Sequence, residues 1–194
     1  MADSAKKIAT YADIEALPPH VVGELLYGSL VTHPRPMPAH AKAQISLAYE
    51  LEGPFHRGKG GPGGWIFLAE PQLRPGSHIA VPDIAGWRSE RLVPFPKNAS
   101  VDIAPDWICE ILSDSTERYD RSEKRRIYGE QGVQYLWLLD PRSRVLECFT
   151  LVSKHWMLTH TFNISSPVSA PPFSEISFDL EPIFPPNDFP WPPE

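Results

Sequence analysis

The pattern of apolar and polar positions predicts a chain in which helices and strands are mixed. Short apolar runs bounded by Gly, Pro or Ser are typical of strands, and apolar residues three or four positions apart are typical of helices. The predicted elements are, in chain order, a helix over 11–17, a hairpin over 24–32 around Gly28-Ser29, a helix over 39–51, strands over 65–73, 79–87 and 106–113, a helix over 118–131, and strands over 133–139, 145–151 and 156–162. This order predicts an α/β fold with a mixed sheet.

Two of the predicted strands contain an acidic residue where an apolar one is expected. The run 107–112 is apolar on both faces, as in a strand at the centre of a sheet, yet it contains Glu110. The run 79–87 has the same anomaly at Asp83. A buried ionised carboxylate is costly unless a positive group meets it. If the two strands are neighbours, Asp83 and Glu110 could hold a divalent metal ion together.

The predicted helix over 118–131 supplies a lysine close to these acids in the chain. Asp120 and Glu123 could cap its start, and Gly132 fits the residue just past its end. If the helix packs back over the strand before it, the Lys124 ammonium could reach the carboxylates, with Tyr128 one turn further on the same face. Two acids, Mg²⁺ or Mn²⁺ and a lysine are a set suited to phosphodiester hydrolysis.

Composition and charge restrict the classes of protein that remain. A chain of 194 residues with net charge −6 is expected to form a single domain, 1–194, that has no overall basic footprint, although a local basic patch is not excluded. No long apolar run predicts a membrane span, and the N-terminal stretch is no secretory signal, so a cytoplasmic location is expected. Cys109 and Cys148 are expected to be buried and reduced.

The 23 prolines concentrate partly in the last ten residues of the chain. We place the core at about 11–162 and a proline-rich tail at about 185–194, with Phe189 and Trp191 as aromatic anchors. Added strands and an aromatic tail offer apolar surface that one domain would leave exposed. We therefore expect a homodimer.

Several motifs together carry a resemblance to a known family. They are Glu24-Leu25-Leu26-Tyr27-Gly28, His40, Glu70-Pro71, Pro82-Asp83, Glu110-Ile111-Leu112-Ser113, Lys124, Tyr128 and the stretch from Gly132 to Pro141. With these residues the chain resembles the bacterial putative restriction endonuclease family of the PD-(D/E)XK nuclease superfamily. The resemblance implies a restriction-endonuclease-like αβββαβ core with extra antiparallel strands.

The resemblance also implies roles for individual residues. Asp83 and Glu110 would be metal ligands and, with Lys124, Glu24 and His40, catalytic residues acting on DNA. The superfamily motif places a lysine two residues after the glutamate, where this chain has Leu112. The resemblance implies that the lysine has moved to the following helix, as Lys124.

The residues themselves leave alternatives open. Glu110 could form a buried structural bridge with Arg125, and Lys124 could be a solvated helix lysine. Glu24 could cap the hairpin, while His40 could contact phosphate, transfer a proton or cap a helix. Two functions therefore compete. One is a metal-dependent DNA endonuclease; the other is an inactive nuclease-like domain that binds nucleic acid or a protein partner.

Overall fold

The computed structural model describes residues 8–34 and 36–186. Its helices are α1 (Tyr11–Glu15), α2 (Pro38–Leu51), α3 (Glu117–Tyr119) and α4 (Arg125–Glu130), and its strands are β1 (Val22–Leu26), β2 (Ser29–His33), β3 (Trp65–Ala69), β4 (Gln72–Leu73), β5 (Ile84–Arg88), β6 (Ser100–Val101), β7 (Trp107–Ile111), β8 (Tyr135–Asp140), β9 (Val145–Val152) and β10 (His155–Phe162). Single turns of π-helix (Glu52–His56, Asp120–Lys124) and of 3₁₀-helix (Ser89–Arg91, Glu181–Ile183) complete the secondary structure. The tail anchors Phe189 and Trp191 lie outside the described residues.

A six-stranded sheet forms the centre of the fold. Its strand order is β10-β9-β8-β7-β5-β3, in which β7 and β8 run parallel and every other neighbouring pair runs antiparallel. The parallel pair requires a crossover, which α3, the π-helical turn and α4 provide. The order α2, β3, β5, β7, crossover helix, β8 is the αβββαβ arrangement, so the predicted fold class is confirmed.

Strand β7 is buried over its whole length because both faces of the sheet are covered. Cys109 and Ile111 pack into a cluster with α2, whereas Ile108 packs into a second cluster with α4. Side chains alternate between the faces of a strand, so Glu110 points to the same side as Ile108, towards α4. Cys109 and Cys148 are both buried free thiols, as predicted.

The chain after β10 returns to cover the α2 side of the sheet. The buried apolar residues that it adds to that cluster are Val168, Ala170, Phe173, Phe178, Leu180, Ile183 and Phe184. Phe173 is central, because its ring centroid lies 4.6 Å from that of Phe55 and 5.0 to 5.7 Å from four other aromatic rings. This segment follows the end of the core predicted at about residue 162, and it has almost no regular secondary structure.

The edges of several elements differ from the sequence prediction. The predicted strand over 65–73 is broken at Glu70, whose φ is 49°, and continues only as the two-residue β4. The predicted strand over 79–87 begins as β5 only at Ile84, since Pro82 has no N–H to donate to a ladder. Asp83 therefore lies immediately before β5, not within a strand.

The N-terminal hairpin is separate from the main sheet. Leu26 pairs with Ser29, so the turn residues are Tyr27 and Gly28, both with positive φ, one position earlier than predicted. Leu25 exchanges backbone hydrogen bonds of 2.8 and 3.0 Å with Ile79. This contact attaches the hairpin to the chain just before Asp83.

The aromatic packing around Phe173 yields a stability prediction. Phe173→Ala removes a fully buried ring that contacts five other aromatic side chains. We therefore expect the free energy of unfolding to fall by about 3–5 kcal/mol. Urea denaturation followed by tryptophan fluorescence measures it. The control is Phe95→Ala, a ring that is 56% exposed, where we expect a change within about 0.5 kcal/mol. Equal effects of the two substitutions would contradict the central role of Phe173.

Candidate functional site

A cavity of about 390 Å³ opens where α2 begins and β7 ends. Its polar lining residues are His33, His40, Glu70, Asp83, Glu110, Ser113, Asp114, Ser115, Thr116, Asp120, Lys124 and Arg142. Prolines and other apolar residues, among them Pro34, Met37 and Leu112, form the rest of its wall. Four of the five site residues predicted from the sequence thus line one cavity, and the fifth, Glu24, lies directly behind it.

The carboxylate and the backbone N–H of Asp83 contact three neighbouring residues. Its Oδ2 accepts a 2.6 Å hydrogen bond from the backbone N–H of Ile111, and its Oδ1 lies 3.0 Å from His40 Nε2. Its own backbone N–H lies 3.4 Å from Glu110 Oε2. The contacts with Ile111 and Glu110 follow from the antiparallel β5–β7 pairing, in which Ile84 opposes Cys109. The two acids are therefore neighbours, as the sequence predicted.

The two oxygens of Glu110 have different surroundings. Oε1 accepts a hydrogen bond of 2.5 Å from the Tyr128 hydroxyl and lies 2.9 Å from the Lys124 ammonium nitrogen. Among the described residues, Oε2 has only the long contact with Asp83 N–H. Burial raises the pKa of Glu110 well above its ordinary value, and the nearby Asp120 carboxylate adds to this, while Lys124 opposes it. Oε1 is thus fixed by Tyr128 and Lys124 from the crossover helix, whereas Oε2 faces Asp83.

Lys124 lies in the π-helical turn and is 5% exposed. Its Nζ is 2.9 Å from Glu110, 3.1 Å from Asp120 and 3.4 Å from Glu24, and it donates to the carbonyl of Val81 at 3.2 Å. Burial alone would lower the pKa of Lys124, but Glu110 and Glu24 raise it well above its ordinary value. The ammonium is therefore charged, and the interpretation of Lys124 as a solvated helix lysine is wrong.

The alternative partner for Glu110 is also excluded by geometry. The Arg125 guanidinium carbon lies 4.9 Å from the ring centroid of Phe149, and the Arg125 carbonyl accepts a hydrogen bond from Trp156. Arg125 is therefore directed to the β9–β10 side of the helix. Lys124, not Arg125, is the buried cation at Glu110.

Glu24 connects the hairpin to Lys124. Its side chain is fully buried, with Oε1 accepting a 2.6 Å hydrogen bond from Val81 N–H and Oε2 at 2.7 Å from His33 Nε2. Burial alone would raise the pKa of Glu24. The charge of Lys124 and the hydrogen bonds with His33 and Val81 outweigh burial, so the pKa of Glu24 lies below its ordinary value. Glu24 thus carries a negative charge beside the lysine. It does more than cap the hairpin.

His40 lies in the first turn of α2, and its Nε2 faces Asp83. Met37 is the helix N-cap residue, so His40 does not cap the helix. Burial lowers the pKa of His40, yet the hydrogen bond and charge of Asp83, followed by Glu70, raise it overall. Its Nδ1 is buried and has no hydrogen-bond partner among the described residues. His40 is therefore placed to orient the Asp83 carboxylate.

Sequence reasoning assigned Asp120 the wrong role. Asp120 was expected to cap the helix, but it lies within it, 1% exposed, and pairs with Lys124. Burial raises the pKa of Asp120 by more than the charge of Lys124 lowers it, so the pKa lies above its ordinary value. The four-residue spacing from Lys124, which places both on one helix face, is the signal that could have identified it. His33, the partner of Glu24, had no comparable signal.

The carboxylates of the site suit a hard divalent cation with open coordination. Glu24, Glu110 and Asp120 surround Lys124, and Asp83 adds a fourth carboxylate, so acids outnumber the lysine. Over residues 8–34 and 36–186, no group of three or more His, Cys, Asp or Glu side chains is arranged to hold a metal ion. Mg²⁺ needs only one or two carboxylates, because it keeps several waters. Asp83 with Glu110 Oε2 fits that requirement.

Comparisons with known proteins agree with this fold. A crystal structure described as a putative nuclease belonging to DUF820 from Anabaena variabilis ATCC 29413 has a TM-score of 0.71 and 23% identity. It covers 91% of this chain and 97% of its own, so the two share a fold. Among curated proteins, none matches the chain.

A family model adds evidence from the sequence itself. The model of the family Uma2, described as putative restriction endonuclease, matches residues 8–181. This match includes every residue placed at the cavity. Since it also covers most of the 194 residues, the chain belongs to the Uma2 family of putative restriction endonucleases.

Proposed function

We propose that this protein is a metal-dependent endonuclease that hydrolyses phosphodiester bonds, with DNA as its substrate. The observation that carries the proposal is the arrangement of Glu110. One of its oxygens lies 2.9 Å from the buried Lys124 ammonium, and the other faces Asp83 at the wall of a cavity. Membership of a nuclease family supports the same reaction class.

Asp83 and Glu110 are the residues that would hold Mg²⁺ or Mn²⁺. When bound there, the ion would polarise the phosphate and lower the pKa of the attacking water. The cluster of buried carboxyl groups around a single lysine supports this assignment, because a divalent cation would favour the charged forms that burial opposes.

Lys124 supplies a fixed positive charge at the reacting group. Glu24, Asp120 and the Val81 carbonyl hold its ammonium, so little rearrangement is needed during the reaction. Such a preorganised charge orients the attacking water and stabilises the negative charge that develops on the phosphate. His40 keeps the Asp83 carboxylate in position from the other side of the cavity.

The first test concerns the metal. Asp83→Asn and Glu110→Gln keep the size of the side chains but remove the charges, so we expect each to abolish Mn²⁺ binding measured by isothermal titration calorimetry. The control is Asp102→Asn, an exposed carboxylate outside the cavity lining, which should bind as the wild type does. Unchanged binding in both site variants would refute the assignment of Asp83 and Glu110 as ligands.

The second test concerns turnover. Lys124→Met keeps the apolar stem without the ammonium, and we expect cleavage of plasmid DNA with Mg²⁺ or Mn²⁺ to slow by ~100-fold or more, while Mn²⁺ still binds. The exposed Lys97→Met serves as control and should cut at the wild-type rate.

Two results would change the conclusion. If Lys124→Met cuts as fast as the wild type, the role of this lysine is wrong. If the wild type binds metal but cleaves no form of DNA, the protein is the inactive nuclease-like binding domain that was the alternative from the sequence.

The cytoplasmic location stays a prediction. Within the described ranges, no helix has the length and apolarity to cross a membrane.

We also propose that the protein is a homodimer. Strand β10 is an edge of the sheet, and its Met157 and Leu158 are 52% and 49% exposed. Unprotected edge strands pair readily with other chains. These features support pairing of β10 with a second copy.

Light scattering at micromolar concentration should give the mass of two chains. Met157→Lys places a charge at the β10 edge and should give the mass of one chain. Ile45→Lys, at a 70% exposed position on α2, should leave the dimer intact. A monomeric wild type would overturn the dimer, and dissociation only by Ile45→Lys would place the interface on α2.

A further inference from the structure

Arg142 lines the same cavity as Asp83 and Lys124, but from the turn between β8 and β9. Its Nε lies 3.0 Å from Asp140 Oδ1, its Nη2 lies 2.6 Å from Glu117 Oε2, and its Nη1 contacts Asp114. Three carboxylates thus occupy three sides of one guanidinium group. Arg142 remains 30% exposed.

The three carboxylates are not equivalent. Asp140 is 15% exposed, and it also accepts hydrogen bonds from the backbone N–H of Arg142 at 3.0 Å and from the Ser143 hydroxyl at 2.9 Å. Glu117 is 33% exposed and also pairs with Arg121 at 2.8 Å. Asp114, by contrast, is 84% exposed, and its carboxylate has no other hydrogen bond or ion pair within the described chain. Asp140 and Glu117 therefore orient the guanidinium plane, while Asp114 is a solvated partner on its remaining edge.

We propose that Arg142 binds a phosphate group of the substrate, and that this phosphate displaces the Asp114 carboxylate from the Nη1 edge. An ion pair with a well-solvated carboxylate contributes little stability, so the exchange has a low cost. Arginine forms strong charge-assisted hydrogen bonds with phosphate oxygens, which favours phosphate at the Nη1 edge. The proposal rests on the proposed function, because it assumes that a phosphodiester enters this cavity.

The other cations at the cavity pair with carboxylates that are buried or nearly so, unlike the exposed Asp114. Lys124 is buried among carboxylates, His40 faces Asp83, and His33 faces Glu24. Among the described residues of the lining, Arg142 is the only arginine. It is therefore the cation that can change partner without opening the buried cluster.

The wall next to Arg142 supplies further hydrogen-bonding groups. The hydroxyls of Ser113, Ser115 and Thr116 line the cavity on the loop that carries Asp114. They bond to one another, with Ser113 Oγ 3.1 Å from Ser115 Oγ and 2.9 Å from Thr116 Oγ1. Because a hydroxyl can rotate, each can turn from its neighbour to a phosphate oxygen. Arg142 and this hydroxyl loop together form an anion-binding wall in a cavity that is otherwise acidic.

Four variants separate this proposal from a purely structural role. Fluorescence anisotropy with a fluorescein-labelled DNA duplex, with Ca²⁺ in place of Mg²⁺, gives the affinity, and cleavage with Mg²⁺ gives KM and kcat. Arg142→Gln should weaken binding by about tenfold or more, and Arg142→Lys should fall between it and the wild type. Asp114→Asn removes the competing carboxylate and should tighten binding by about threefold. Arg121→Gln is the matched control, since Arg121 shares Glu117 and is 37% exposed but does not line the cavity.

The direction of the Asp114 effect is decisive. A structural ion pair predicts that Asp114→Asn and Arg142→Gln both lower the melting temperature and both impair binding. The proposal predicts that Asp114→Asn tightens DNA binding and that Arg142→Gln weakens it. It also predicts that the slope of log K against log salt concentration is smaller by about one in Arg142→Gln. Weaker binding by Asp114→Asn, or wild-type affinity in both Arg142 variants, would overturn it.

The outcomes also distinguish this proposal from the proposed function. Cleavage by the wild type with an unchanged KM in Arg142→Gln would overturn the role of Arg142 and leave the nuclease intact. DNA binding that depends on Arg142 without any cleavage would support the phosphate site and refute the active nuclease. A wild type that neither binds nor cuts DNA would overturn both.

Discussion

The buried ammonium group of Lys124 is the interaction on which the site depends. It joins four separate parts of the chain, because its partners are Glu24 on the hairpin, Glu110 on β7, Asp120 on the helix and the Val81 carbonyl before β5. Removing one partner of a buried ion pair typically costs about 3–5 kcal/mol, since the remaining charge stays buried. Here the loss of a single cation would leave several carboxylates facing one another. The same group therefore stabilises the fold around the cavity and provides its positive charge.

The site stores unfavourable electrostatic energy that the rest of the fold must offset. The raised pKa values of Glu110 and Asp120 show that burial and mutual repulsion oppose their charged forms. Such clusters of perturbed groups are typical of functional sites. The apolar cluster on the opposite face of the sheet, where Phe173 contacts five aromatic rings, contributes stability that offsets this cost.

Local patterns in the sequence were enough to identify the centre of the molecule. An apolar run interrupted by Glu110 indicated a central strand with a buried acid, and the position of Lys124 on the next helix indicated its counterion. Asp120 was misassigned because a residue near a helix start has the same local pattern whether it caps the helix or faces a buried lysine. Only the path of the crossover helix over β7 decides between them.

Other parts lie beyond what local patterns can predict. The segment that carries Phe173 packs through irregular backbone, so it shows neither a helical nor a strand period. Arg142 follows Pro141 in a short turn, where an arginine is expected to be solvated. Its place at the cavity arises from the parallel pairing of β7 and β8, which brings the ends of both strands to the same edge of the sheet. Tertiary pairing of this kind is not encoded in any single stretch of residues.

The position of Lys124 on the crossover helix, not on strand β7, has a consequence for how such a site can change. A lysine two residues after Glu110 would share the backbone of β7, and its distance from the carboxylate would be set by strand geometry alone. In this protein Ile127 and Tyr128 seat the helix on the sheet, so the position of the ammonium depends on side-chain packing. Substitutions beneath the helix can therefore shift the lysine while the Asp83–Glu110 pair stays in place, so the two parts of the site can change separately in evolution.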